Sequence, residues 1–336
     1  MINSSFLIYD PEIISFINED NYCSAAKRLI QLQKKSWDAL DSGYQALKTL
    51  KTKTINFDGF SFIIQFNPAR IASSSALIDE ISVKTRKCFL CNSNRPVQQK
   101  GILINNYLLL VNPFPLFPEH FTLSFIDHIG QRIDNNFDEL LRLSRLLCED
   151  YTVFYNGPQC GASAPDHMHF QAGNKSSLPF FSEYKSLKTG YGELLSDKND
   201  VIVIGLDDGL RKIICLESKD KNKLSESFKS FYNIYDSYSE EPEPMMNILS
   251  LYEEAFGWRI AVMLRAKHRP EEFYKEGEGR ILYSPAASDF GGLCITPLQR
   301  DFDKFNKELL TKIFNDVSIE HNIFYELKKD IKVKLG

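Results

Sequence analysis

Gly161-Ala162-Ser163-Ala164-Pro165-Asp166-His167-Met168-His169-Phe170-Gln171 places two histidines and a glutamine at strict alternation behind a loop of small and polar residues. In a strand, side chains at i, i+2 and i+4 share one face at roughly 7 Å per step. His167, His169 and Gln171 therefore read as a face built for chemistry, and Met168 and Phe170 as the side turned to a core. On a helix the same residues would scatter around the axis, so the stretch is read as extended. The competing reading is a half-exposed strand with two surface histidines, but the chain has only six histidines and two of them fall here.

Around this stretch the periodicity predicts strands over Leu103 to Val111, Phe121 to Ile126 and Tyr151 to Tyr155, and an amphipathic helix over Phe137 to Glu149. The order strand, strand, helix, strand, strand recurs downstream. Its second copy runs through Val201 to Gly205, Lys212 to Leu216, a helix around Leu224 to Tyr235, Met246 to Tyr252 and Trp258 to Leu264. Such recurrence suggests an internal duplication. In that copy Arg259 to Leu264 stands where the histidine strand stood, so a duplicated site would have lost its histidines. A helical pattern covers Ala25 to Leu50, and strand-like composition follows from Phe57 to Phe66. Ser237 to Glu243 reads as an exposed loop, and the helical pattern from Phe302 to Lys332 as packing on the outside.

The chain has 336 residues and 43% apolar content, enough for one large or two ordinary domains. A formal charge of −4 argues against a nucleic-acid-coating protein, which needs a basic field to release counterions. Met1 to Asn18 lacks the pattern of a signal peptide, and no run approaches a membrane span, so a cytoplasmic protein is expected. Seven cysteines, scattered except for one pair, fit reduced thiols better than a disulfide framework.

That pair, Cys88-Phe89-Leu90-Cys91, has the spacing for chelating one ion from a tight turn, and a tetrahedral zinc needs two ligands more. His128 and His167 are candidates, and His120 competes for the third position. A redox pair is the rival reading, although Asn92 to Pro96 reads as a loop and not as the helix such a pair normally opens. Lys84, Arg86, Lys87, Arg95 and Lys100 flank the pair with no acidic residue over 81–100, which suits a phosphate-bearing ligand, or else forms a solvated basic loop. Asn156-Gly157-Pro158-Gln159-Cys160-Gly161-Ala162-Ser163 offers backbone amides and the Ser163 hydroxyl to an anion next to the histidines. His268, in a basic run, reads as a solvated strand end or a phosphate contact, and His321 as a surface histidine.

A neutral imidazole can attack phosphorus without a separate base if one ring nitrogen is held as a donor and the other left bare. Ser163, Gln171 and loop amides would stabilise the charge that builds on the phosphoryl oxygens. An amide cannot hand a proton to a poor leaving group, so Gln171 points to a leaving phosphate or sugar phosphate.

Three motifs in order resemble the histidine triad superfamily, in the transferase branch that holds galactose-1-phosphate uridylyltransferase, diadenosine tetraphosphate phosphorylase and GDP-hexose phosphorylases. They are Cys88 to Cys91, the stretch Pro118 to His128, and the His-x-His-x-Gln strand, with coverage strongest over 86–172. The resemblance implies an α+β fold, a histidine-triad-like antiparallel sheet with flanking helices in two degenerate halves. It implies a helical region and first strand over 1–80, a catalytic half with a zinc site over 81–195, and a degenerate second half with C-terminal helices over 196–336. It further implies a structural zinc on Cys88, Cys91, His128 and His167, with His169 as nucleophile and Gln171 and Ser163 assisting. Asn156 and Gly161 fall where the family contacts phosphate, and Asn67, Arg70 and Arg86 are further candidates for substrate binding. Asp166 departs from the transferase pattern as an extra residue before His167, which puts the shape of the Ser163 loop in doubt; the wording His-Met-His-Phe-Gln-Ala leans toward the GDP-hexose phosphorylases. The implied activity is a nucleotidyltransferase or phosphorylase working through a nucleotidyl-histidine. Its expected ligands are a sugar nucleotide or dinucleoside polyphosphate and a phosphate or sugar phosphate, with no nucleic acid or membrane partner and with a homodimer as the expected assembly. A binding module without turnover and a metal-dependent hydrolase are the alternatives.

Overall fold

The structure, a computed structural model, describes residues 21–71 and 85–336. The paired helices α1 (Tyr22–Ser36) and α2 (Asp38–Ala46) lead into a hairpin of β1 (Lys51–Asn56) and β2 (Ser61–Phe66), which β13 (Leu293–Thr296) extends in parallel to a three-stranded sheet. The other strands, β3 (Gly101–Ile104), β4 (Tyr107–Val111), β5 (His120–Phe125), β6 (Tyr151–Asn156), β7 (His169–Asn174), β8 (Gly192–Lys198), β9 (Val201–Asp207), β10 (Lys212–Ser218), β11 (Met246–Glu253) and β12 (Gly257–Leu264), form one antiparallel sheet.

The strand order of the large sheet is β3-β4-β5-β7-β6-β11-β12-β10-β9-β8. Read from either end it is the same path: three strands in sequence, then the fifth, then the fourth. α3 (Phe137–Leu146) falls between β5 and β6, and α5 (Lys221–Asp236) between β10 and β11. The expected duplication is therefore a matter of topology, with the two copies joined where β6 pairs β11.

The two faces of this sheet differ. On one, Met168, Phe170 and Ala172 of β7 and Trp258, Ile260 and Val262 of β12 share a core with Leu140 and Leu143 of α3 and Phe228 and Phe231 of α5. α1 and α10 (His321–Leu335) close the same core. On the other face, Ala261 and Met263 of β12 pack with Phe62 and Ile64 of β2, Phe290 of α7 (Ala287–Phe290) and Phe314 of α9 (Lys307–Val317). The same face of the first half carries His169 and Gln171 in place of aliphatic side chains. The site is thus a polar interruption in a face that is otherwise core.

Several expected elements differ. Leu103 to Val111 is a hairpin, because Asn105 takes φ 53° and turns the chain between β3 and β4. β7 begins at His169, so His167 lies on the approach to the strand, where Met168 donates to the Ile129 carbonyl at 2.7 Å. The helix from Phe137 stops at Leu146. The C-terminal pattern splits into α8 (Gln299–Lys304), α9 and α10, and Phe302, Leu310, Ile313 and Phe314 are buried, not external. Glu243 is buried instead of exposed, since it accepts from the Ile133 N–H at 2.6 Å and the Tyr155 hydroxyl at 2.5 Å. β1, β8 and α4 (Pro179–Tyr191) carry too little period to be read, and α6 (Glu271–Tyr274) is a single turn. The expectation for Met1 to Asn18 lies outside the described residues, as does Lys84.

Candidate active site and metal cluster

The chain over Cys88-Phe89-Leu90-Cys91 closes a tight turn, Cys91 N–H donating to the Cys88 carbonyl at 3.3 Å, so both sulfurs face one way. His128, three residues past β5, and His167, two before β7, bring their Nδ1 atoms to them. Cys88 Sγ lies 3.4 Å from His167 Nδ1, and Cys91 Sγ lies 3.2 Å from His128 Nδ1 and 3.6 Å from His167 Nδ1. These four ligand atoms lie within 4.8 Å of one another and could hold a metal ion. His167 Nε2 donates to the Phe125 carbonyl at 2.8 Å, which leaves Nδ1 as the bare nitrogen on the cluster side. His120 is not part of this cluster.

Asp166, the extra residue, accepts from Arg86 Nη2 at 2.5 Å and stands 3.8 Å from His128 Nε2. Arg86 also reaches the Ser163 carbonyl at 3.5 Å. Arg86 therefore ties the cysteine turn to the Ser163 loop. Arg95 is likewise engaged with Asn92, and neither arginine nor Lys87 nor Lys100 lines the cavity described next.

That cavity is lined by Asn156, Gly161, Ser163 and Gln171, by Arg70 from beyond β2, and by residues of the second half. Gly161 takes φ +93°, and a Cβ there would stand 2.7 Å from that of Ala286, so glycine is needed for the loop to close against the 284–289 segment. Asn67 lies behind the wall: it is buried, and its carbonyl receives the Arg70 N–H at 3.1 Å. His169 precedes Gln171 on the same face of β7 and is 2% exposed. Its Nδ1 is 2.8 Å from the His167 carbonyl, and since a carbonyl only accepts, Nδ1 carries the proton and Nε2 is bare. Burial pushes His169 down to about 4, so the ring is neutral near pH 7.

Gln131, which no pattern of the sequence singles out, helps to build the site. Gln131 clamps the nucleophile candidate: its Oε1 accepts from His169 N–H at 2.8 Å, while its Nε2 donates to the carbonyls of His169 at 3.0 Å and Asn156 at 2.9 Å. His268 lines the cavity instead of ending a solvated strand, its Nδ1 donating to the Gln159 carbonyl at 2.8 Å. Arg269, Ser284, Ser288 and Asp289 complete the far wall. Burial raises the Asp289 carboxyl to about 6, although it accepts from the Ala286 and Ile295 amides. Arg265, 2% exposed, braces this wall through the carbonyls of Pro285 at 2.9 Å, Lys267 at 2.9 Å and His268 at 3.1 Å. His321 is exposed, as expected, beside Asp207 at 3.2 Å.

The chain folds as a five-strand unit repeated about a seam, with a His-x-His-x-Gln run leading into β7, a fold it shares with solved structures. Among solved structures the chain is similar to yeast Ap4A phosphorylase Apa2 in complex with AMP, at 17% identity over 88% of this chain and 96% of that one, with a TM-score of 0.55. It is similar also to a second structure of yeast Ap4A phosphorylase Apa2, at 17% identity over 84% and 94% of the two chains and a TM-score of 0.52. Residues 29–174 match a family described as a domain of unknown function, DUF4922. No curated protein matches the sequence.

Proposed function

We propose that the protein is a phosphorylase or nucleotidyltransferase that takes a dinucleoside polyphosphate or a sugar nucleotide and passes its nucleotidyl group through His169. The observation that carries this reading is the neutral, buried His169 ring, with Nδ1–H held by the His167 carbonyl and Nε2 bare, two residues before Gln171, which lines a cavity together with Arg70. In the first step the Nε2 lone pair forms a bond to the α-phosphorus, and the bond from that phosphorus to the bridging oxygen breaks. The leaving group, a nucleoside polyphosphate from a dinucleoside polyphosphate or a sugar phosphate from a sugar nucleotide, keeps the electron pair and needs no proton. Gln171, Ser163 and the Asn156 amide stabilise the equatorial oxygens. In the second step an oxygen of phosphate or of a sugar phosphate attacks the same phosphorus, the N–P bond breaks, and neutral imidazole returns. The likeness to an Ap4A phosphorylase supports testing a dinucleoside polyphosphate first among the donors.

The cluster is assigned to zinc. Tetrahedral bonds of about 2.3 Å to sulfur and about 2.0 Å to nitrogen give an S···N edge of about 3.5 Å. The three measured edges run from 3.2 to 3.6 Å. Bound there, the ion would hold the cysteine turn against the strand approach, and four protein ligands leave no open position for a metal-bound water, which disfavours the hydrolase reading. None of the seven cysteines is in a disulfide, which suits a reducing, cytoplasmic compartment.

Neutral-pH intact mass spectrometry tests the proposal, with diadenosine tetraphosphate, UDP-glucose, UDP-galactose, GDP-glucose, GDP-mannose and ADP-glucose as donors. A gain of one nucleoside monophosphate is expected in the wild type and none in His169→Ala, with zinc content equal in both. Binding of a donor without any adduct would replace this reading with that of a binding module.

A further inference from the structure

We infer that His120 is a positioning residue that fixes which end of the Gln171 amide meets the substrate; this rests on the reading of Gln171 as a phosphoryl contact. His120 is fully buried at the start of β5. Leu116 N–H lies 3.2 Å from its Nδ1, and a backbone N–H can only donate, so Nδ1 is the bare nitrogen. The proton therefore sits on Nε2, 2.9 Å from Gln171 Oε1. The reversed amide would set two donors against each other, so the oxygen of Gln171 faces His120 and its NH2 group is left for the cavity. Among the described residues that NH2 group has no other partner.

The local structure explains how the contact arises. His120 pairs across the strands with Gly173, and Gln171 is its diagonal neighbour on the same face. A side chain at 173 would fill the intervening space: a Cβ there would lie 2.3 Å from the ring of Phe117, which occupies it. Phe117 meets His120 edge-on at 5.2 Å, and the His120 ring stacks at 6.3 Å on Phe154. The Tyr44 hydroxyl donates to the His120 carbonyl at 3.1 Å and holds the backbone. The ring has one place to sit and one tautomer that satisfies both partners.

A glutamine free to turn would offer oxygen or nitrogen to a phosphoryl group. With His120 behind it, it offers only donors, as an anion requires. The first arm of the test is ring 15N NMR on protein labelled at its six histidines. His120 should appear as the Nε2–H tautomer, with its Nε2 signal shifted in Gln171→Leu; a proton on Nδ1 overturns the inference whatever the protein catalyses. The second arm is a double-mutant cycle on adduct formation. His120→Phe should slow the step on the order of tenfold to a hundredfold. It should do nothing further in Gln171→Leu, and His120→Gln, which restores a donor, should recover part of the rate. Additive losses would make His120 a merely structural residue. Failure of every donor to react with the wild type would defeat the functional reading instead, and the ring tautomer would then decide His120 alone.

Discussion

His120 stays neutral inside the protein because burial, reinforced by the positive charge of Arg70, pushes it down to about 3. An exposed histidine in the unfolded chain titrates near 6.5, at about 1.4 kcal/mol per pH unit of difference. As pH falls below 6.5 the unfolded chain takes up a proton that the native His120 refuses, so this residue's contribution to stability is lost progressively between about 6.5 and 3. Asp289 and Glu243 act in the opposite direction. Burial raises them to about 6 and about 7, so the native state protonates first and gains as pH falls through those values. A single-site difference separates the terms. The stability gap between wild type and His120→Phe, measured by urea unfolding, should shrink by about 2 kcal/mol from pH 7 to pH 5. An unchanged gap would mean that His120 titrates normally.

At this scale one short pattern of the sequence holds His167, His169, Gln171 and Ser163 and another holds Cys88 and Cys91, whereas spacing left His128 and His120 as alternatives for the third position and the resemblance favoured His128. Gln131 was not legible, since a lone glutamine in a loop carries no period and gains meaning only through partners such as Asn156, and His268 was left between a solvated strand end and a phosphate contact until its place beside Gln159 was seen. His120 was read as a rival metal ligand. Its role depends on Leu116, Phe117 and Gly173 meeting across two strands, which spacing alone does not express.

The cysteine turn holds little apolar packing. Cys88 and Leu90 form, with Ala164, a small cluster separate from the two large cores. The turn meets the rest of the site through the cluster donors and through Arg86 on Asp166 and the Ser163 carbonyl. Without metal, little else would keep residues 86–95 beside the 161–168 loop. Chelation, or Cys88→Ser, should remove one zinc per chain and speed amide exchange in 86–95, 126–131 and 161–168, while β8 to β12 keep their protection. Unchanged protection in the first three segments would refute the cluster as their tie. Element boundaries follow the same physics: α3 and α5 were legible from strong amphipathic periods. The β3–β4 hairpin was hidden inside one apolar run because a two-asparagine turn interrupts periodicity so briefly.

Over the whole molecule, the second half carries no His-x-His-x-Gln run and still takes part in the cavity through the seam. Asn247 of β11 pairs with Asn156 of β6 and is fully buried. Its Nδ2 donates to Asn156 Oδ1 at 2.8 Å and to the Cys160 carbonyl at 2.6 Å, and its Oδ1 accepts from Arg265 Nη1 at 2.6 Å. Ala287 N–H also donates to Asn156 Oδ1, at 2.8 Å, so Asn156 keeps only its NH2 group for the cavity. Two cavity amides are thus held by their oxygens from behind, Gln171 by a residue of its own half and Asn156 by residues of the other. Asn247→Leu removes the seam bonds and strips a partner from the buried Arg265, which should cost about 3 kcal/mol. It should also slow adduct formation roughly tenfold, because the Asn156 amide and the Arg265-braced wall lose their set positions. Ser250→Ala is the control: it breaks the Ser144–Ser250 hydroxyl contact of 2.6 Å at the same seam but touches no cavity residue. It should lower the urea midpoint and leave the rate of adduct formation within about twofold. If the two variants lose rate in proportion to stability, the seam only holds the halves together; a rate loss confined to Asn247→Leu would mean that the second half sets the donors of the first.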